Sequence, residues 1–313
     1  MKIVFMGTPE FAAVSLRELV KAHEVVAVIT QPDRPAKRGK KLMPPPVKEV
    51  ALASGIEVHQ PQRIRAKEFK EVLAKIEADI FVVVAYGQIL PKDILEMPKY
   101  GAVNVHASLL PKYRGAAPIQ WAIVNGEMES GVTIMQMDEG LDTGPMLLKD
   151  VTQIEPYETG ASLHDKLADI GARALIKALK MIELGKTKPV PQDNAFASYA
   201  SMLARDTGRI DWSRSAVEIE RLVRGFYIWP SAFSHLEAFG SVKIIEAEIV
   251  QNELSCNQGE PGVIVDIDRK RGFLVATGSG NLLVTKIQTS GKKEMEVSAF
   301  LLGNDIEKGW KFE

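Results

Sequence analysis

The chain has 313 residues, more than a typical single domain, and its 46% hydrophobic and 25% charged content excludes disordered and fibrous classes. A formal net charge of −1 gives no global attraction to nucleic acid or membrane, so any polyanion contact must come from a local basic patch. The lone cysteine, Cys256, excludes an intrachain disulfide and a cysteine-cluster metal site.

The opening MKIVFMGTPEF reads as strand then turn, with no room for the charged and apolar regions of a signal peptide. The longest apolar runs fall short of a membrane span, and a cytoplasmic protein is expected. KIVFMG is an apolar run ended by glycine, which suits a buried strand. Thr8 is expected to cap the next helix, with Pro9 at its first position and Phe11, Val14, Leu16 and Leu19 on its buried side. EVVAVIT is the next strand, and strand–helix–strand in this order signals a parallel sheet. The turn GTPEFA holds one glycine instead of G-x-G-x-x-G, so no nicotinamide or flavin site is expected, and RGKK lacks the upstream cradle of a P-loop.

Residues 33–48, DRPAKRGKKLMPPPVK, set Arg34, Lys37, Arg38, Lys40, Lys41 and Lys48 against Asp33, and the prolines forbid a helix through the segment. The segment reads either as a solvated loop or as a phosphate-contacting element beside a strand end. Further strands are expected at 57–59, 80–85 and 101–104 with helices between, giving a Rossmann-like open sheet, parallel-rich, with helices on both faces. His23, His59, His164 and His235 read as structural, and none has metal-ligand spacing with a carboxylate, so no metal is expected. His106 differs because it lies where the fifth strand should end, and ligands of such sheets bind outside the carboxyl ends of the strands. Strand alternation puts Asn104 and His106 on one side. An amide donor beside an imidazole suits acyl chemistry: one hydrogen-bonds an oxyanion and the other moves a proton. MDEGLDTG, after GVTIMQM, offers Asp138, Glu139 and Asp142 as a third member, although acids between glycines are also ordinary turn residues. No activated nucleophile is evident, so direct attack by the incoming group is expected over a covalent enzyme intermediate.

A helix is expected over 163–184, and GKTKPVPQDNAFASYA beyond it reads as a linker. SAVEIERLVRGF is helical in pattern, and SVKIIEAEIV, GVIVDI, GFLVATG and NLLVTKIQ are short strands of a small β-rich, OB-like barrel. The expected domains are 1–189, a linker at 190–205, and 206–313. The last is not basic overall; Arg209, Arg214, Arg221, Arg224, Arg269, Lys270, Arg271, Lys292 and Lys293 are the local groups that could form a stripe. No apolar helix face demands a partner, and a monomer is expected.

NVHASLLPKYRGAAPIQWAI together with GVTIMQMDEGLDTGPML resembles the formyltransferases that use 10-formyltetrahydrofolate. FMGTPEFA, TQPDRPAKRGKKLMPPPVK and VVVAYGQILP bring the resemblance nearer to the branch acting on initiator methionyl-tRNA, and it continues through RIDWSRSAVEIERLVRGF and WPSAF. The resemblance implies formyl transfer from 10-formyltetrahydrofolate, as co-substrate, to the α-amine of methionine on that tRNA. It implies Asn104, His106 and Asp142 as catalytic residues, and Ser108, Leu109, Leu110 and Pro111 as the folate-binding motif. Gln88, Ile89, Leu90 and Asp138 would line the pterin pocket. Arg34, Lys37, Arg38, Lys40 and Lys41 would contact tRNA, Arg38 foremost, alongside a tRNA-binding C-terminal domain. The alternative is a folate-dependent formyltransferase for a small amine, such as an amino-sugar nucleotide or glycinamide ribotide, which needs neither the basic loop nor the long second domain. Two departures stand out: Ala107 where the family pattern has Gly, and GFYIWP where it has GFNPWP.

Overall fold

In the computed structural model, which describes residues 1–35, 42–250 and 259–313, the first apolar run is strand β1 (Lys2–Gly7). Helix α1 (Glu10–Ala22) returns the chain to β2 (Glu24–Ile29), parallel to β1. The helix begins one position later than expected: Pro9 is its N-cap, and the Thr8 hydroxyl instead donates to the Tyr86 carbonyl at 3.1 Å. Thr8 thereby stays with the sheet, where the end of a neighbouring strand offers an acceptor that a helix N-terminus does not. Two antiparallel rungs, β3 (Arg34–Pro35) and β4 (Leu42–Met43), flank the basic segment, whose Lys37, Arg38, Lys40 and Lys41 lie outside the described residues.

The alternation continues through α2 (Pro46–Ala53), β5 (Val58–His59), α3 (Lys67–Leu73), β6 (Ile80–Val84), α4 (Lys92–Leu95) and β7 (Ala102–His106). Then come β8 (Arg114–Gly115), α5 (Pro118–Val124), β9 (Glu129–Gln136), β10 (Met146–Gln153), α6 (Gly160–Glu183) and β11 (Tyr199–Ala200). The main sheet runs β10-β9-β7-β6-β1-β2-β5. Its five strands from β7 to β5 are parallel, and β9 and β10 extend it in antiparallel fashion. Val4, Met6, Ala27, Ile29, Phe81 and Val83 join one core cluster, while the alternate residues Ile3, Phe5, Val28, Ile80 and Val82 are equally buried. Both faces of the central strands are therefore covered, which is why they read as unbroken apolar runs. Strand β10, not anticipated from MLLKDVTQ, is an edge strand with Lys149, Asp150 and Val151 exposed, so it lacks that signature. Strand β9 is antiparallel to β7, so the loop between β9 and β10 leaves beside Ala102, and Asp142 within it reaches Asn104 and His106.

One compact unit comprises Met1–Pro118, Glu129–Gln153 and His164–Ala200; the other comprises Ile119–Met128, Ile154–Leu163 and Ser201–Glu313. In the second, α7 (Ala216–Gly225) opens with a capping box in which Ser215 accepts from the Glu218 N–H and Glu218 bonds back to Ser215. There follow β12 (Ala232–Leu236), β13 (Gly240–Val250), β14 (Ile264–Asp268), β15 (Gly272–Ala276), β16 (Asn281–Thr289), β17 (Met295–Glu296) and α8 (Val297–Phe300). The antiparallel order is β12-β13-β16-β15-β14, with β17 on β16. The chain end closes this sheet: Leu236 bridges Phe312, Val263 bridges Lys311, and the backbones of His235 and Glu313 exchange hydrogen bonds. Both edge strands thus pair with one C-terminal segment, the closure of a small barrel. Trp212, Ile219, Val223, Phe273, Val284 and Phe312 fill its interior. No helix among the described residues is long and apolar enough to cross a membrane.

Candidate active site

Strand β7 ends at His106, so Asn104 and His106 are both strand residues with alternation intact. Both side chains meet one carboxylate. Asn104 Nδ2 donates to Asp142 Oδ1 at 3.4 Å, and His106 Nδ1 lies 3.6 Å from Asp142 Oδ2. The Gly115 N–H donates to the same Oδ2 at 2.9 Å. On its other side His106 Nε2 is 2.9 Å from the Tyr113 carbonyl. A carbonyl only accepts, so Nε2 carries a proton and Nδ1 is the nitrogen free to gain or lose one toward Asp142. His106 is buried and Asp142 only slightly exposed, which strengthens the interaction of the two relative to water.

Asp142 lies in the loop 137–145 between β9 and β10. Asp138 organises that loop: its Oδ1 accepts from the Gly140 N–H and the Thr143 hydroxyl. Gly144 presses so closely on β9 that a Cβ there would stand 1.8 Å from the Gln136 carbonyl oxygen. Of the three acids in MDEGLDTG, Asp142 joins Asn104 and His106, Asp138 builds the turn, and Glu139 faces solvent.

The turn after β7 is pinned by Thr133 of β9, whose hydroxyl donates to the Ser108 carbonyl at 2.7 Å and accepts from the Leu110 N–H at 3.1 Å. Ser108 is buried and its hydroxyl donates to the Lys112 carbonyl. Leu110 is fully buried against Met135 and Met146, whereas Leu109 and Pro111 are half-buried and reachable. The Leu110–Pro111 peptide is cis. Gln88 is held by the Ile64 N–H and the Pro61 carbonyl, Leu90 is in the core, and Ile89 is 82% exposed. Ala107 keeps a negative φ, so its methyl costs no backbone strain. In the GFYIWP turn the Trp229–Pro230 peptide is cis, and Ile228 and Trp229 are exposed. Beyond the site, Gln60 and Lys48 hold the Asp33 carboxyl below the usual range, and Arg34 is exposed.

The second unit has a cavity of about 590 Å³ lined by Trp121, Arg209, Arg214 and Arg221 with Asp211 and Glu218. Arg214 reaches both acids, at 3.8 and 3.4 Å. Arg209 and Arg221 form no ion pair among the described residues, and the Arg221 guanidinium lies directly over Gly126. Arg224 is instead committed to Glu220.

The Formyl transferase family profile matches residues 1–179, and that of the Formyl transferase C-terminal domain matches 202–305. The methionyl-tRNA formyltransferases of Lachnospira eligens and Alkaliphilus oremlandii are 48% and 50% identical to this chain, each over 99% of it and 98% of the relative. The chain belongs to the methionyl-tRNA formyltransferase family. Within solved structures, a sugar 3N-formyl transferase shares the fold at TM-score 0.69 and 23% identity, over 94% of this chain and 99% of that one. An N-formyltransferase from Helicobacter canadensis does so at 0.68 and 22%, over 92% and 99%.

Membership of this family accounts for the long motifs but not for every residue that builds the site. Thr133, Gln192, Asn194 and Ser198 carried no signal of their own. The last three sit in a Pro-rich stretch that reads as a linker, and in the structure it pairs through β11 with β8.

Proposed function

We propose that the protein transfers the formyl group of 10-formyltetrahydrofolate to the α-amino group of methionine on initiator tRNA, giving N-formylmethionyl-tRNA for translation initiation. The convergence of Asn104, His106 and Asp142 at the end of β7 carries this reading. The amine attacks the formyl carbon directly. One Asn104 N–H faces Asp142, and the other is offered to the oxygen that gains charge as the amine adds. Protonated at both nitrogens, His106 places positive charge beside that oxygen, and its proton traffic runs through Nδ1 because Nε2 is tied to Tyr113. Asp142 takes up the proton lost by the attacking amine, and the leaving folate nitrogen receives one in return, through His106 or water.

The flat pterin and its linker fit the reachable apolar surfaces of Leu109, Pro111, Ile89 and Leu141. Gln88, Leu90, Asp138, Ser108 and Leu110 then shape that pocket from behind, since their polar groups or side chains are committed within the protein. Arg34, Lys37, Arg38, Lys40 and Lys41 contact the tRNA backbone, and the C-terminal domain adds Arg209 and Arg221. The protein works as a monomer in the cytoplasm. The test is formyl transfer from 10-formyltetrahydrofolate with Met-tRNA, free methionine and an amino-sugar nucleotide as competing acceptors. Preferential formylation of Met-tRNA is expected; preference for the nucleotide amine would overturn the reading.

A further inference from the structure

Arg114 is 2% exposed, yet its guanidinium pairs with no carboxylate among the described residues. Its Nε donates to Gln192 Oε1 and its Nη2 to Asn194 Oδ1, each at 2.9 Å. A buried cation with only neutral acceptors is costly, and a carboxylate at position 192 would satisfy it better. What a carboxylate could not supply is the other end of the amide. Gln192 Nε2 donates to the Asp142 carbonyl and to the Gly144 carbonyl, both at 2.8 Å. Arginine only donates and carbonyls only accept, so the amide has one orientation that satisfies all three partners. The two carbonyls it grips are that of Asp142 itself and that of Gly144 two residues on, so the amide holds the loop at Asp142, whose φ of +53° lies in the left-handed region. Arg114 also fixes the carboxylate from the other direction, because the next residue, Gly115, donates its N–H to Asp142 Oδ2.

We propose that Arg114 and Gln192 are positioning residues of the formyl transfer, with Arg114 locking the Gln192 amide and Gln192 holding Asp142 in register with Asn104 and His106. The inference rests on the assignment of Asp142 to catalysis made above. It makes the segment 190–200, which leads out of the catalytic unit, part of the active-site scaffold.

The decisive variant is Gln192→Glu in the full chain, which keeps the length and pairs Arg114 with a charge but removes both donors to the loop. We expect kcat to fall about 10- to 100-fold, the cost of a small misplacement of a catalytic group. KM for 10-formyltetrahydrofolate should be little changed and the thermal unfolding temperature no lower. The double variant Arg114→Met with Gln192→Met, which removes the buried charge together with its acceptor and adds no new one, should lose kcat to a similar extent. In an Asp142→Ala background Gln192→Glu should cost nothing further, since the residue acts through Asp142. Wild-type kcat in Gln192→Glu and in the double variant, beside a crippled Asp142→Ala, overturns this inference alone, as does an undiminished further loss in the Asp142→Ala background. Near-normal turnover of Asp142→Ala overturns the catalytic reading and this inference with it.

Discussion

Two side chains that meet at one carboxylate, those of Asn104 and His106 at Asp142, have different freedoms, and the proposed roles follow those freedoms. Asn104 commits one N–H to Asp142 and keeps a second, which is the donor that the proposed mechanism aims at developing charge and that Asn104→Ala removes. His106 is tethered at Nε2, so only Nδ1 exchanges protons with its surroundings. Single replacement of Asn104, His106 or Asp142 by alanine should lower kcat by about a hundredfold or more, while folate affinity measured by fluorescence titration stays near wild type. Normal turnover in all three would contradict the assignment. Motif spacing alone left Asp138, Glu139 and Asp142 equivalent; a resemblance to known formyltransferases favoured Asp142. Only the loop geometry physically separates them, because which acid points at an imidazole depends on backbone φ and on what grips the loop.

At the scale of elements, the site stands on the junction between β7 and β9, where the sheet changes from parallel to antiparallel. His106 pairs in register with Thr133, and the hydroxyl of Thr133 fastens the following turn at Ser108 and Leu110. Thr133→Val keeps the shape and leaves a buried carbonyl and a buried N–H without their partner. The expected cost is about 1–3 kcal/mol of stability, measured by urea unfolding, with a raised KM for 10-formyltetrahydrofolate. An unchanged midpoint and KM would show the turn to be held elsewhere. Gly144→Ala tests the same junction from the loop side: a Cβ within 1.8 Å of a backbone oxygen cannot be accommodated without moving the loop, and turnover should collapse. The central strands and long helices were legible because burial on both faces or along one stripe leaves a periodic imprint. Edge strand β10 and the two-residue pairs were not, since half-exposed backbone pairing leaves almost none.

At the scale of the whole molecule, a nearly neutral chain must recognise RNA through local charge. Arg38→Ala should weaken use of Met-tRNA and flatten its salt dependence, reducing the slope by about one for each phosphate no longer neutralised. Arg209→Ala with Arg221→Ala removes the two guanidinium groups of the second unit's cavity that form no ion pair among the described residues. This double change should raise KM for Met-tRNA and reduce the slope by about two. Titration of KM against salt concentration checks both, and parallel slopes for variant and wild type would remove these arginines from the interface.

The amino-acid sequence by itself determined the βαβ order, the β-rich second part, the placing of Asn104 and His106 on one side of a strand, and through its long motifs the family. These are properties of periodicity and local pattern, which neighbouring residues in the chain are enough to define. Tertiary structure alone decided that Asp142 meets both Asn104 and His106, that His106 is anchored through Nε2, and that Arg114, Gln192 and Thr133 bond to the loops around them. Each of those facts joins residues far apart in the chain, 78 positions in the case of Arg114 and Gln192. Pairings at such separation are chosen by strand order and loop packing, not by the local spacing of residue types.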